Sequence, residues 1–214
     1  MGLNVSDMRA ALTGGGSKPN LFLVDIVFPK DINLQDDPFP GGFDTTKLNK
    51  ACQFLVKSAQ IPSSDIGIIK VPFRGRELPI PGDRTFEPMN FTLVNSGDMY
   101  VRAAFEAWSR GINAFTENTS KMKYSDGTNG GSSFLTNMTI SQLSRDGIQA
   151  TKTPQNPQKP GVNNETVTRR YRLYDCWCSS VSGIALDYSA NDQISESNIV
   201  VQYSYFEVLP LNAA

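Results

Sequence analysis

Cys176 and Cys178 are separated by one residue, Trp177, a spacing that puts two thiols on one face of an extended strand. With Cys52 and a fourth ligand they could hold a soft metal such as zinc; otherwise they read as small apolar fillers of a core. The carboxylates Asp83, Glu87, Asp175 and Glu207 have no spacing that forces two of them into the opposed geometry of glycoside hydrolysis. GGGSK at 14–18 lacks the Gly-Lys-Ser/Thr order of a phosphate loop and precedes the first apolar run, so it reads as a turn. Two arginine groups, Arg74, Arg76 and Arg84, then Arg169, Arg170 and Arg172, are dense enough for a partner surface, against the plainer reading of strand charge answered by nearby acids. The chain has no histidine. Serine or cysteine nucleophiles activated by imidazole, imidazole acid–base chemistry and His-containing zinc sites are therefore excluded. Enzymes built on carboxylates or lysine survive this cut.

These residues belong to a chain of 214 residues with a 39% hydrophobic fraction. Such a chain buries about 70% of its unfolded surface and builds a core without staples. The expectation is one domain over 1–214. Twenty Lys+Arg against 21 Asp+Glu leave a formal charge of −1, which offers no general attraction to a polyanion. Three cysteines are too few and too odd in number for a disulfide framework, which points to a reducing compartment. No apolar run reaches membrane-spanning length and the start has no signal-peptide core, so a soluble chain without a secretory leader is expected.

The elements that must carry these groups are mostly strands. Residues 21–28, LFLVDIVF, form an apolar run short enough for a strand buried on both faces. Residues 29–50 hold turn formers and read as a long loop. In 51–59, Cys52, Phe54 and Val56 alternate with Gln53 and Lys57, the period of a strand, although Leu55 breaks it. A second strand places Ile69, Val71 and Phe73 on one face and Lys70, Arg74 and Arg76 on the other. The two are expected to pair as a hairpin, interrupted at Pro79, Pro81 and Gly82 before a strand in 85–94 where Met89, Phe91 and Leu93 alternate with Asn90 and Thr92. The strong helix signal follows. Asp98 is a cap, Val101, Phe105, Trp108 and Ile112 form one stripe that must lie on a sheet, and Arg110-Gly111 marks the stop. Further strands are expected at 138–144, 166–178, 182–188 and 198–208, the last with Ile199, Val201, Tyr203 and Tyr205 on one face. The fold class is mainly β, a barrel or sandwich of six or more strands with one flanking α-helix.

The segment 73–113, FRGRELPIPGDRTFEPMNFTLVNSGDMYVRAAFEAWSRGIN, resembles the tail tube proteins of contractile-tailed bacteriophages. That family has an Arg-containing strand end, a GDRTFEPW-like strand and an amphipathic helix ending in a Trp-containing turn, in this order. Residues 18–28, KPNLFLVDIVF, and 172–208, RLYDCWCSSVSGIALDYSANDQISESNIVVQYSYFEV, agree with the family's opening and closing strands, so the resemblance spans the chain. Met89 stands where the family usually has tryptophan, and residues 29–46, 113–137 and 150–165 look like insertions into a shorter core.

The resemblance implies a tail-tube β-barrel subunit, six copies of which form a ring whose strands join edge to edge. The rings would stack into the hollow inner tube of a virion made in the bacterial cytoplasm. It implies a sheath protein around the tube, baseplate and terminator proteins at its ends, and the tape measure protein and genomic DNA in its lumen, in transit rather than specifically bound. No catalytic residue, metal, cofactor or membrane insertion by this chain is implied. Lumen candidates are Gln53, Lys57, Lys70 and Arg74; subunit-contact candidates are Arg76, Asp83, Arg84, Arg170 and Arg172, with 1–20 and 29–50 as stacking segments. The alternatives are a tube protein of a bacterial contractile injection or type VI secretion apparatus, or a monomeric β-barrel ligand carrier or enzyme.

Overall fold

One strand belongs to both halves of the molecule. In the computed structural model, which describes residues 4–12, 16–29, 32, 42–122, 134–144 and 167–210, the body is built from β1 (Phe22–Ile26), α2 (Thr45–Leu55), β2 (Val56–Ala59), β5 (Met89–Val94), α3 (Tyr100–Ile112), β6 (Thr136–Leu143), β7 (Val167–Val181), β8 (Glu196–Gln202) and β9 (Tyr205–Leu209). Outside it lie α1 (Val5–Ala11), β3 (Ser64–Phe73) and β4 (Arg76–Phe86). The sheet runs β1-β6-β7-β8-β5-β2, with β9 also on β7. Residues 170–174 of β7 pair with β9, and 177–181 with β8. Between them the register against β6 slips, leaving two β7 residues opposite one, and Asp175 takes φ +54° there. A bulge of this kind bends the strand, and Asp tolerates the left-handed conformation better than most residues.

The fold is the mainly β one expected, with a larger set of helices. Val101, Phe105 and Trp108 are sealed in the core and Ile112 is partly buried. The stripe is gripped from β5 and from the segments after β1 and before β6: the Phe105 ring lies 5.1 Å from Phe28 and 5.6 Å from Phe91, and Trp108 Nε1 donates to the Phe134 carbonyl at 3.0 Å. Asp98 is not the cap expected: the N-cap position is Met99, in the left-handed region at φ +50° and without a side-chain cap bond, while Asp98, one residue earlier, accepts from the Tyr100 N–H at 3.2 Å. Gly111 lies inside the helix rather than stopping it; its carbonyl accepts from the Lys121 and Met122 N–H groups at 3.1 and 3.0 Å. A buried polar chain ties the helix to the sheet. Arg102 Nη1 donates to Ser197 Oγ at 2.6 Å, and Ser197 Oγ donates to Asn95 Oδ1 at 2.9 Å.

Several sequence expectations are corrected, among them the long loop over 29–50, whose residues 45–50 are helical. Residues 51–55 end a helix rather than begin a strand. Asp44 Oδ1 accepts from the Thr46 and Lys47 N–H groups at 2.8 and 3.3 Å, a cap that starts α2, and Leu48 and Cys52, four apart, are its buried face. The strand is left with 56–59, and it pairs with β5, not β3. Pro79, Pro81 and Gly82 do not interrupt a hairpin, because β4 runs through them opposite β3. Residues 182–188 form no strand; Ser182 N–H still bonds the Asn198 carbonyl at 2.9 Å, but the chain then leaves the sheet and Leu186 and Tyr188 stand exposed. The expected strand 198–208 breaks at Tyr203 and Ser204, so Ile199 and Val201 face the core while Tyr205 faces away and stacks on Tyr174 at 4.7 Å. The proposed insertion 150–165 lies outside the described residues, as do parts of 29–46 and 113–137 and Gly14 and Gly15 of the GGGSK run.

Candidate functional site

The chain leaving β2 returns to β5 through β3 and β4, so these two strands prolong the β2–β5 pair into a ribbon of 10 and 11 residues. Its turn is Arg74-Gly75, both at positive φ, 47° and 81°, as a two-residue type I′ hairpin turn demands. Register places Ile69, Val71, Phe73, Leu78 and Ile80 on one face, and Arg76 with them, opposite Phe73 rather than on the Lys70 face that the sequence alternation predicts. All are exposed, Phe73 by 66% and Leu78 by 58%. The opposite face carries Ile68, Lys70, Pro72, Glu77, Pro79 and Pro81, with Lys70 and Glu77 paired at 2.9 Å. At the base, Phe86 packs against Tyr203 and Phe206 at 6.0 and 5.7 Å.

The three prolines fall on the same alternation of the ladder. In an antiparallel pair that alternation separates residues that exchange hydrogen bonds from residues whose backbone points outward. Proline has no N–H to give and is tolerated where it faces out. The outer edge of β4 over 77–81 is thereby left with one backbone donor, Glu77. The outer edge of β3 keeps Ile68 and Lys70.

The second surface is the solvent face of β2, β5 and β8. Alternation buries Met89, Phe91, Leu93, Ile199 and Val201 and turns Asn90, Thr92, Val94, Glu196, Asn198 and Val200 outward. Thr92 Oγ1 donates to Asn198 Oδ1 at 3.1 Å. Lys57 reaches Glu196 Oε1 at 2.6 Å.

The candidates read from sequence thus occupy four places, the first being the face of Lys57 just described. Gln53 sits on α2 and donates to Asp25 of β1, away from the Lys57 face. Lys70, Arg74, Arg76, Asp83 and Arg84 are on the ribbon, with Arg84 Nη1 donating to Ser64 Oγ at 2.9 Å. Arg170 and Arg172 are on β7; Arg172 stands opposite Glu207 and over the Tyr174 ring at 5.7 Å. Sequence reasoning missed Glu196 as the partner of Lys57, because it paired β2 with the wrong strand; the alternation in β5 and β8 was the available signal.

Burial pushes the thiols of Cys52, Cys176 and Cys178 up to about 12. They are neutral core groups at ordinary pH. Among the described residues no cluster of three or more metal-ligating acids, thiols or imidazoles occurs, and no helix is long and apolar enough to cross a membrane. A cleft of about 510 Å³ between α3 and the end of β7 includes Glu106, whose carboxylate is held by Arg102 at 2.7 Å.

Similarity to known proteins identifies the family. A family model described as phage tail tube protein matches residues 17–209. The chain belongs to the phage tail tube protein family. Within that structural family, the tail tube protein of Serratia phage KSP90 is 24% identical over 201 residues, covering 93% of each chain. The tail tube protein gp19 of Enterobacteria phage T4 is 23% identical over 201 residues, covering 93% of this chain and 96% of its own. A chain from the cryo-EM structure of the anti-feeding prophage baseplate shares the fold at a TM-score of 0.50 and 10% identity, covering 92% of this chain and 97% of its own. This tail tube protein is a component of phage-type contractile particles, a structural subunit and not an enzyme.

Proposed function

We propose that six copies of this chain close into a ring and that the rings stack into a hollow inner tail tube through which phage DNA passes during ejection. The observation that carries this reading is the β3–β4 ribbon. A two-stranded ribbon is marginal alone in water, and this one exposes five large apolar residues on one face with no part of the described chain over them. A second copy of the same chain is the cover that family membership supports. Contacts of one patch with a different patch close into a ring when the rotation between copies closes.

In this reading the solvent face of β2, β5 and β8 lines the bore, carrying Lys57 of the lumen set. Lys70 and Arg74, with Arg76, Asp83 and Arg84, go to the contact between subunits, since the ribbon holds all five. Arg170 and Arg172 serve the outer face of β7. Stacking draws on segment 1–20, where α1 has no buried residue and Val5, Met8 and Leu12 are bare. The sheath protein surrounds the tube, the baseplate and terminator proteins hold its ends, and the tape measure protein occupies the lumen before DNA does. Assembly takes place in the bacterial cytoplasm. The two phage relatives, each matched over 93% of this chain, favour DNA over protein as cargo.

Concentrated purified protein should form hollow filaments with sixfold end views in negative stain. Persistence of a monomer at every concentration, even on a pre-formed baseplate, would reject the tube.

A further inference from the structure

Strands β2, β5 and β8 contain two charged side chains in all, Lys57 and Glu196. Lys57 stands at an irregularity of edge strand β2, and Glu196 opens β8, with β5 between them. Glu196 faces Val94 of β5 in the register, so the lysine side chain crosses a whole strand to put its ammonium 2.6 Å from the carboxylate. The rest of this face is amide, hydroxyl or aliphatic: Ser58, Asn90, Thr92, Val94, Asn198 and Val200. The pair is half open to water, 57% and 38% exposed, and exposed ion pairs contribute little to stability. Its purpose is better sought in what it does to the face.

A cation repeated on every subunit of a tube is a ladder of phosphate contacts. Each contact releases counterions and adds to affinity for a polyanion, which opposes transit. We propose that Glu196 is a charge-cancelling residue: it holds the Lys57 ammonium so that the wall offered to passing double-stranded DNA carries no free cation. The inference rests on the bore assignment above and specifies how that wall treats its cargo.

The test uses assembled tubes of the wild type, Glu196→Gln and the double variant Lys57→Gln with Glu196→Gln, sedimented with a short fluorescent DNA duplex. Glu196→Gln tubes should retain several-fold more duplex at about 50 mM salt and lose the excess by about 200 mM. The double variant should match the wild type, and all three proteins should melt alike. Equal retention by wild-type and Glu196→Gln tubes overturns the charge-cancelling role. Asn198→Cys reports on the bore separately, against a silent background, because the native thiols are buried. In tubes it should react with a small maleimide but not with one carried on a polymer too wide to enter. Labelling by the wide reagent places the face outside the bore and overturns the assignment itself; shielding together with equal retention removes only the role of Glu196.

Discussion

Strands β5 and β3 carry the same alternation and meet opposite fates. In β5, Met89, Phe91 and Leu93 are sealed beneath α3 and the sheet; in β3, Ile69, Val71 and Phe73 stand in water. Both obey the period of two that marks one apolar face. What differs is the partner, present in the body and absent around the ribbon. Alternation therefore states which face must be covered, and says nothing about whether the cover comes from the same chain.

The largest effect that would sharpen this contrast is on assembly. Val71→Asp together with Leu78→Asp places two carboxylates opposite each other on the bare face. Tubes should fail to form, as read by sedimentation, while the monomer's melting moves by no more than about 0.5 kcal/mol, as at an uncovered surface. A large loss of monomer stability would mean that the ribbon is covered within its own chain, and the contrast would break.

Trp108→Ala works on the other side of it. The side chain is fully buried, so its removal should cost about 3–5 kcal/mol in denaturant titrations. Wild-type-like unfolding would show that α3 does not anchor the body.

A gentler probe is alkali, because all three thiols lie in the body and none in the ribbon. Their folded pKa is raised to about 12 from an ordinary 9.0. Below pH 9 the neutral thiol prevails in both states and its contribution is whole. Between pH 9 and 12 the unfolded chain binds fewer protons than the folded one, so stability falls as pH rises, by at most about 1.4 kcal/mol per pH unit for each thiol. Replacing Cys52 by Val should flatten that slope in urea titrations repeated across this window, with tube-forming capacity retained at neutral pH.

Where one periodicity dominated, the sequence was readable. The spacing Val101, Phe105, Trp108 gave α3, and Met89, Phe91, Leu93 gave β5. Reading failed where two periods overlapped. Leu48, Cys52 and Val56 repeat every four residues, and Cys52, Phe54 and Val56 every two; the Asp44 cap that decides between them lies behind Gly41 and Gly42, which favour a loop. Prolines misled in the ribbon, since Pro79 and Pro81 stop a strand only when their N–H is needed inward. Of the surfaces, Lys57 and the ribbon residues were visible as polar or charged positions. Their grouping was not, because whether Lys57 meets Glu196 depends on β5 lying between β2 and β8, and pairing order leaves no mark on local pattern.

The bend at Asp175 gives β7 two sets of neighbours, β6 and β9 before it and β8 after it. Neither half of the body can then come apart while the other stays whole, for both are stitched with the same thread. Heating should dismantle the body in one cooperative step, with protection from hydrogen exchange along Leu173 and Cys178 vanishing together.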